Sequence, residues 1–384
     1  MLKNMFDVIV VGVGSMGSST CYYLAKQGIK VLGLEQFSIP NEMSSHTGQS
    51  RIIRKAYFEH PDYVPLLVRA YQNWSELEAT SGIKVYYRTG LLYAGLPDHI
   101  MMKGVRSSAE KFEIKVDKLR TAEVIEKYPG LKIPSDYEIL FEPDAGFLTP
   151  EKVITAYVES AIRYGAVVKS NVKVNEWRKV NSTFEIKTAT DTYYAKKLIF
   201  TTGPWAGKLL PQWSSMLRIT RQVLAWFPVS DNSNFQLGNF PCWLIADGDH
   251  HGVFYGFPVL KGKEFEGPVG LKMAHHFPGT ETDPDLINRT TTAQDEKLLV
   301  DFMHRYFRIP DLPIPEMKTC MYTNTPDEDF ILDFLPGYDK DIIVATGFSG
   351  HGFKFASVIG EIMRDMAVHG ETPLPTEFLR AGRF

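Results

Sequence analysis

Apolar and polar positions along the chain alternate in blocks that predict a strand, a helix and a strand at its start. Val8-Ile9-Val10-Val11 is a continuous β-branched run ending at Gly12, the pattern of a strand buried on both faces of a parallel sheet. A helix carrying Leu24 and Ala25 inward should follow, then Gly28 and a second strand ending in Glu35. From Tyr63 to Glu78, Val64, Leu67, Val68, Tyr71 and Trp74 recur at three-and-four spacing and predict an amphipathic helix. Residues 84–93 read as strand and hairpin material and Tyr137 to Phe141 as another strand, so the strand-helix alternation breaks and a different domain begins. Thr149-Pro150-Glu151 opens a further helix, as an N-cap followed by Pro at the first helical position, and Gly165 closes it. Residues 166–168 and 171–174 are strand-like, and 183–188 with 192–194 suggest a hairpin. Two later apolar runs, 197–202 and 341–346, each end in Thr-Gly, and the second leads into a helix from about residue 353 to 368. The intervening stretch from Arg218 to Asp333 is strand-rich and dense in aromatics.

Length and composition narrow this picture. A chain of 384 residues exceeds what one core usually serves, so two lobes are expected. A formal net charge of −3 gives no electrostatic case for nucleic acid or an anionic membrane surface as partner. No apolar run is long enough to span a bilayer and the first strand leaves no room for a signal peptide, which predicts a cytoplasmic protein. Three scattered cysteines, Cys21, Cys242 and Cys320, predict neither a disulfide framework nor a zinc site, so no metal is expected.

The chemistry begins at the first turn. Gly12, Gly14 and Gly17 fit G-x-G-x-x-G: the first for a tight turn, the second for approach of a pyrophosphate, the third for helix-on-strand packing. Glu35 lies 18 positions beyond Gly17, where a carboxylate can accept hydrogen bonds from ribose hydroxyls. These features predict a dinucleotide site and leave NAD and FAD both open. In Ser44 to Tyr57, hydroxyls, a His, Arg51 and Arg54 crowd around one glycine. That composition predicts a loop, and three-residue spacing would let both arginines address an anion from a helical turn, with a solvated basic turn as the alternative. A single site served by the N-terminal fingerprint and by the C-terminal strand, Gly347 and helix suits an extended FAD.

At this point the chain resembles the monomeric sarcosine oxidase and N-methyltryptophan oxidase family of flavin amine oxidases. The resemblance is carried by residues 12–17, 50–57, 255–258, 270–272, 319–323 with 326–330, and 347–355, and so spans nearly the whole chain. It implies an α/β architecture: an FAD-binding Rossmann-type domain of the glutathione-reductase-like, p-hydroxybenzoate-hydroxylase-like kind, with a second, mixed antiparallel-sheet substrate domain. The expected division is 1–84, 149–215 and 322–384 for FAD, and 85–148 and 216–321 for substrate. By resemblance Cys320 bonds covalently to the flavin, and neighbouring cations should lower its pKa. Arg54 and Lys354 hold the substrate carboxylate, Lys272 promotes oxygen reduction, and Arg51 and His46 pack near the opposite flavin face. His276 and Tyr322 line the substrate face, with Tyr255 and Tyr63 as pocket walls. Cofactor contacts are expected at Gly12, Gly14, Gly17, Glu35, Ser45, Arg51, Val172, Gly203, Gly347, Gly350, Gly352, Phe353 and Lys354. The chain departs from the family pattern at Thr47, where a second His is usual, at His275, where Tyr is common, and in a long, charged link from Pro258 to Gly270 expected to border the pocket.

The activity implied is oxidative demethylation of a small N-methyl amino acid such as sarcosine by a monomeric enzyme, with oxygen as acceptor and formaldehyde, primary amine and hydrogen peroxide as products. Bulkier or cyclic secondary amino acids and glycated amino acids are alternatives. An NAD-dependent dehydrogenase and a non-catalytic dinucleotide-binding protein are the readings from other classes.

Overall fold

A computed structural model describes residues 4–229, 233–277 and 279–384. Strand β1 (Met5–Val11) lies at the centre of an eight-stranded sheet, parallel to β2 (Val31–Leu34) on one side and to the strand Thr192–Phe200 on the other. The β-branched run is buried as its pattern requires, with Ile9 and Val10 fully covered. Thr192–Phe200 also pairs in parallel with Ile342–Thr346, so the two Thr-Gly endings emerge side by side at the carboxyl edge of the sheet. Helix α1 (Ser15–Lys26) packs against the helices Pro150–Arg163 and Ala356–His369. Contact with the latter is close: Ser19 Oγ donates to Ala356 O at 2.6 Å, and a Cβ at Gly360 would stand 2.5 Å from that Oγ.

The second, nine-stranded mixed sheet draws on residues 91–142, 218–281 and 316–324. Its strands Arg218–Phe227, Leu271–His276 and Glu316–Asn324 are antiparallel neighbours, and Val253–Phe257 flanks Leu271–His276. Side-chain alternation then divides two faces. Ala225, Phe227, Leu271 and Met273 enter a core with Phe302 and Trp243, while Leu224, Trp226, Ala274 and Cys320 cluster with Tyr255 on the other side. A three-stranded sheet joins β3 (Arg51–Ile53) to Gly146–Leu148 and Tyr86–Arg88.

Several predicted elements differ from those observed. Residues 84–93 form no hairpin: Tyr86–Arg88 pairs in the three-stranded sheet, whereas Leu91–Gly95 pairs in the nine-stranded one. Residues 171–174 are not a strand, because Asn171 turns at positive φ and Val172 N–H is taken by Glu35 O at 2.8 Å. Thr149 precedes its helix as expected, but no side-chain cap forms, the hydroxyl being directed to Val85 O. Arg51 to Ile53 is extended rather than helical. A division at 321/322 would cut the continuous strand Glu316–Asn324.

Candidate active site

The carboxyl edge of the eight-stranded sheet opens into a cavity of about 410 Å³. Gly12 turns out of β1 at φ +90°, and a Cβ there would lie 2.7 Å from Thr201 O. The first intrahelical bond of α1 is Ser18 N–H to Gly14 O, so the amides before it belong to the open end of the helix, which has neither a side-chain cap nor an acid in its first turn. Gly17 lies behind the wall; a Cβ there would sit 1.8 Å from Gly12 O, which makes it a packing position.

Glu35 lines the same cavity and is buried. Its two carboxylate oxygens accept from Val13 N–H at 2.9 Å and Phe37 N–H at 3.0 Å. Burial raises its pKa more than those bonds lower it. Ser45, His46, Val172 and Gly203 also line the cavity, as do Tyr322, Gly350, Gly352 and Phe353 near its far end. Gly347 sits behind that end, turning at φ +66° against Thr325. A Cβ at Gly350 would approach the Tyr322 ring to 2.3 Å.

Three buried polar atoms on this wall, His46 Nε2, Thr202 Oγ1 and Thr323 Oγ1, have no hydrogen-bond partner among the described residues. An elongated polar ligand with a diphosphate, such as FAD, fits that wall: a helix end for the phosphates, Glu35 for the ribose, and unpaired donors and acceptors along the cavity. Burial lowers the pKa of His46 to about 4, so its imidazole is neutral.

A smaller cavity of about 60 Å³ adjoins the first at Arg51, Gly350 and Phe353, which line both. Its wall includes Arg54, Tyr255, His276 and Lys354. Arg54 is buried, and its Nη2 donates to both oxygens of Glu59 at 2.5 and 2.6 Å, while Nη1 donates to Ala56 O at 3.0 Å. Burial raises the Glu59 carboxyl, but Arg54, together with His351 and Lys354, outweighs it and brings the group to about 2. Lys354 donates to His351 O at 2.7 Å. Burial, reinforced by Arg54 and opposed by Glu59, lowers it to about 7. The His351 ring anchors this turn: Nε2 donates to Glu328 O at 3.0 Å, which leaves Nδ1 to accept from Tyr57 at 2.5 Å. His276 Nδ1 lies 3.3 Å from the Tyr322 hydroxyl, and burial lowers its pKa to about 4.

Besides Gly17 and Gly347, three expected residues lie outside both cavities. Tyr63 is packed among Tyr57, Phe330, Phe355 and Phe378 and accepts from Phe330 N–H at 3.0 Å, so it supports the wall from behind. Lys272 is buried, donating to Gly48 O, to Ser50 O at 2.8 Å and to Ser50 Oγ at 3.1 Å. Cys320 shares the strand face of Tyr322 two residues away, but burial raises its thiol pKa against the lowering influence of Arg51 and Lys272. That net direction is opposite to the one expected. The 258–270 link also departs from expectation: it supports Gln49, whose Nε2 donates to Glu266 O and Pro268 O, and none of its residues lines the small cavity. Sequence reasoning missed Glu59, Thr202 and Thr323. Glu59 had a readable signal, since a buried arginine needs a counter-ion and this acid stands five residues on. Among the described residues, no group of three or more His, Cys, Asp or Glu could hold a metal ion, and no helix is long and apolar enough to cross a membrane.

Residues 7–366 match the family model for FAD dependent oxidoreductases. The chain belongs to that family. It is 38% identical to monomeric sarcosine oxidase of Streptomyces avermitilis over 97% of this chain and 96% of the relative. It is 34% identical to N-methyl-L-tryptophan oxidase of Citrobacter koseri, covering 96% of each. Among solved structures it resembles NikD, an unusual amino acid oxidase, with a TM-score of 0.86 at 22% identity over 98% of both chains. It also resembles L-proline dehydrogenase of P. horikoshii, with a TM-score of 0.83 at 22% identity over 100% of this chain and 98% of the other. This chain joins an FAD-binding Rossmann-type domain to a second, mixed sheet domain. As an FAD-dependent oxidoreductase, the chain would hold its cofactor along the larger cavity, with the smaller one left for substrate.

Proposed function

We propose that this protein oxidatively demethylates a small N-methyl amino acid, with sarcosine as the first candidate. Sarcosine, water and oxygen would become glycine, formaldehyde and hydrogen peroxide. The observation that carries the reading is the pair of buried cations, Arg54 and Lys354, on a cavity of only about 60 Å³. A planar guanidinium fork and a point-charge ammonium suit a carboxylate. Arg54 already holds the Glu59 carboxylate through Nη2, and a substrate's acid end would displace it. Lys354 donates to only one protein acceptor among the described residues, leaving further N–H groups for the substrate.

When bound, FAD supplies the two-electron redox chemistry, and the protein contributes orientation and electrostatics. Arg51, Gly350 and Phe353, shared by the two cavities, would hold the ring end of the cofactor against the substrate's N-methyl group. Neutral His276 and the Tyr322 hydroxyl beside it offer a polar wall for the amine. Lys272 would place a cation near the developing negative charge on oxygen. Cys320, on the strand face carrying Tyr322, would tether the cofactor. The relatives named for sarcosine and N-methyltryptophan oxidation support the N-methyl amino acid class. The small cavity favours the smaller substrate, in a soluble monomer of the cytoplasm. A peroxide assay over N-methyl, cyclic and glycated amino acids tests this. Turnover of sarcosine above N-methyltryptophan is expected, and silence toward every secondary amine overturns the reading.

A further inference from the structure

The loop that holds Lys272 is itself held from its far side. Glu151 Oε1 accepts from Gly48 N–H at 3.0 Å and from Gln49 N–H at 3.1 Å. Lys272 donates to Gly48 O and Ser50 O. The peptide joining Gly48 to Gln49 therefore gives its N–H to a carboxylate and its C=O to an ammonium, and both charges polarise it in the same sense. The loop has little freedom to reorient. Gln49 stands at φ +72°, with its Oε1 accepting from Trp226 Nε1 at 3.1 Å and its Nε2 donating to Glu266 O at 3.0 Å. Glu151 is in the first turn of Pro150–Arg163, behind Thr149 and Pro150, so its backbone is set by the helix.

We propose that Glu151 is a positioning residue for Lys272: through the Gly48–Gln49 peptide it fixes the carbonyls that hold the ammonium and supplies the negative charge that keeps it protonated in a buried site. The inference rests on reading Lys272 as the cation beside the oxygen-reduction site. The charged or titratable groups facing Lys272 are Arg51 from β3, Cys320 from Glu316–Asn324, Cys242 from Cys242–Ile245 and Glu151 from its helix. Burial first, then Arg51, lowers the pKa of Lys272, and Glu151 is the foremost group opposing them.

Glu151→Gln keeps an oxygen that can accept both N–H groups and removes the charge, so it separates charge from geometry. In holoenzyme carrying ¹³Cε-labelled lysine, Lys272→Met assigns the Lys272 resonance. Its titration should fall about one pH unit in Glu151→Gln, and Glu151→Asp should bring it back toward the parent value. The alkaline limb of flavin reoxidation by oxygen should move down with it. A Lys272 titration unmoved by Glu151→Gln overturns the inference. A Lys272→Met enzyme that reoxidises at the parent rate instead overturns the oxygen reading of Lys272, and the resonance still decides the coupling to Glu151.

Discussion

Replacing Arg54 with Ala is the perturbation whose size follows most directly from the site. The guanidinium makes two charge-assisted bonds to one carboxylate, at 2.5 and 2.6 Å, in a buried setting. A substrate carboxylate that replaces Glu59 on this guanidinium gains interactions worth about 1.5–3 kcal/mol for a hydrogen-bonded charged group. Their loss should weaken substrate binding by about 10- to 150-fold. Lys354 remains to hold the acid end, so binding is weakened and not abolished. The substitution also orphans Glu59, whose low pKa rests first on Arg54, with His351 and Lys354, working against burial. An unpaired carboxylate there would repel the substrate and compete for Lys354, so Arg54→Ala with Glu59→Gln should recover part of the lost affinity. Arg54→Lys, which keeps a charge without the fork, should fall between parent and Ala. Anaerobic stopped-flow reduction against sarcosine concentration separates the dissociation constant from the limiting rate. An unchanged dissociation constant in Arg54→Ala, with only the limiting rate reduced, would refute the carboxylate clamp.

Further outcomes follow from other parts of the site. Acid-precipitated parent protein should stay yellow, and Cys320→Ser should release its flavin to the supernatant; free flavin from the parent would remove the tether. Acetate, a carboxylate without an amine, should bind progressively more weakly above about pH 7, by up to about tenfold per pH unit. The sign follows from Lys354: near 7 in the free protein, it is held protonated by a bound carboxylate, so binding takes up a proton above that pH. Competition against sarcosine from pH 6 to 9 checks this, and a flat profile contradicts it. Gly350→Ala places a Cβ 2.3 Å from the Tyr322 ring at φ +78°. It should cost about 1–3 kcal/mol in urea unfolding and lower the flavin content of purified protein; a fully loaded, equally stable variant would contradict the close approach.

Local pattern carried much of the architecture and little of the wiring. The run Val8 to Val11, the spacing of Gly12, Gly14 and Gly17, and Glu35 at the end of the second strand each depend on near neighbours, and the parallel pairing follows from them. The face shared by Cys320 and Tyr322 is likewise a two-residue period. What could not be read depends on partners far along the chain. Leu91 separates from Tyr86 because its partners are Glu142 and Cys242, and Glu151, read from sequence as a helix opener, meets Gly48 103 residues away. Tyr63 fits a pocket wall by residue type, yet its hydroxyl is used by Phe330 N–H. Cys320 was expected beside cations, and cations do face it, but the balance between their field and desolvation depends on burial that no spacing reveals.

On this reading Arg54 and Lys354 present a secondary amine to the cofactor held in the adjoining cavity. The decisive experiment is anaerobic addition of one equivalent of sarcosine to the purified, oxidised protein. The flavin absorption should bleach, with release of one formaldehyde and one glycine per flavin. A flavin spectrum that stays oxidised with sarcosine and with every other N-methyl amino acid would rule out this presentation of the amine.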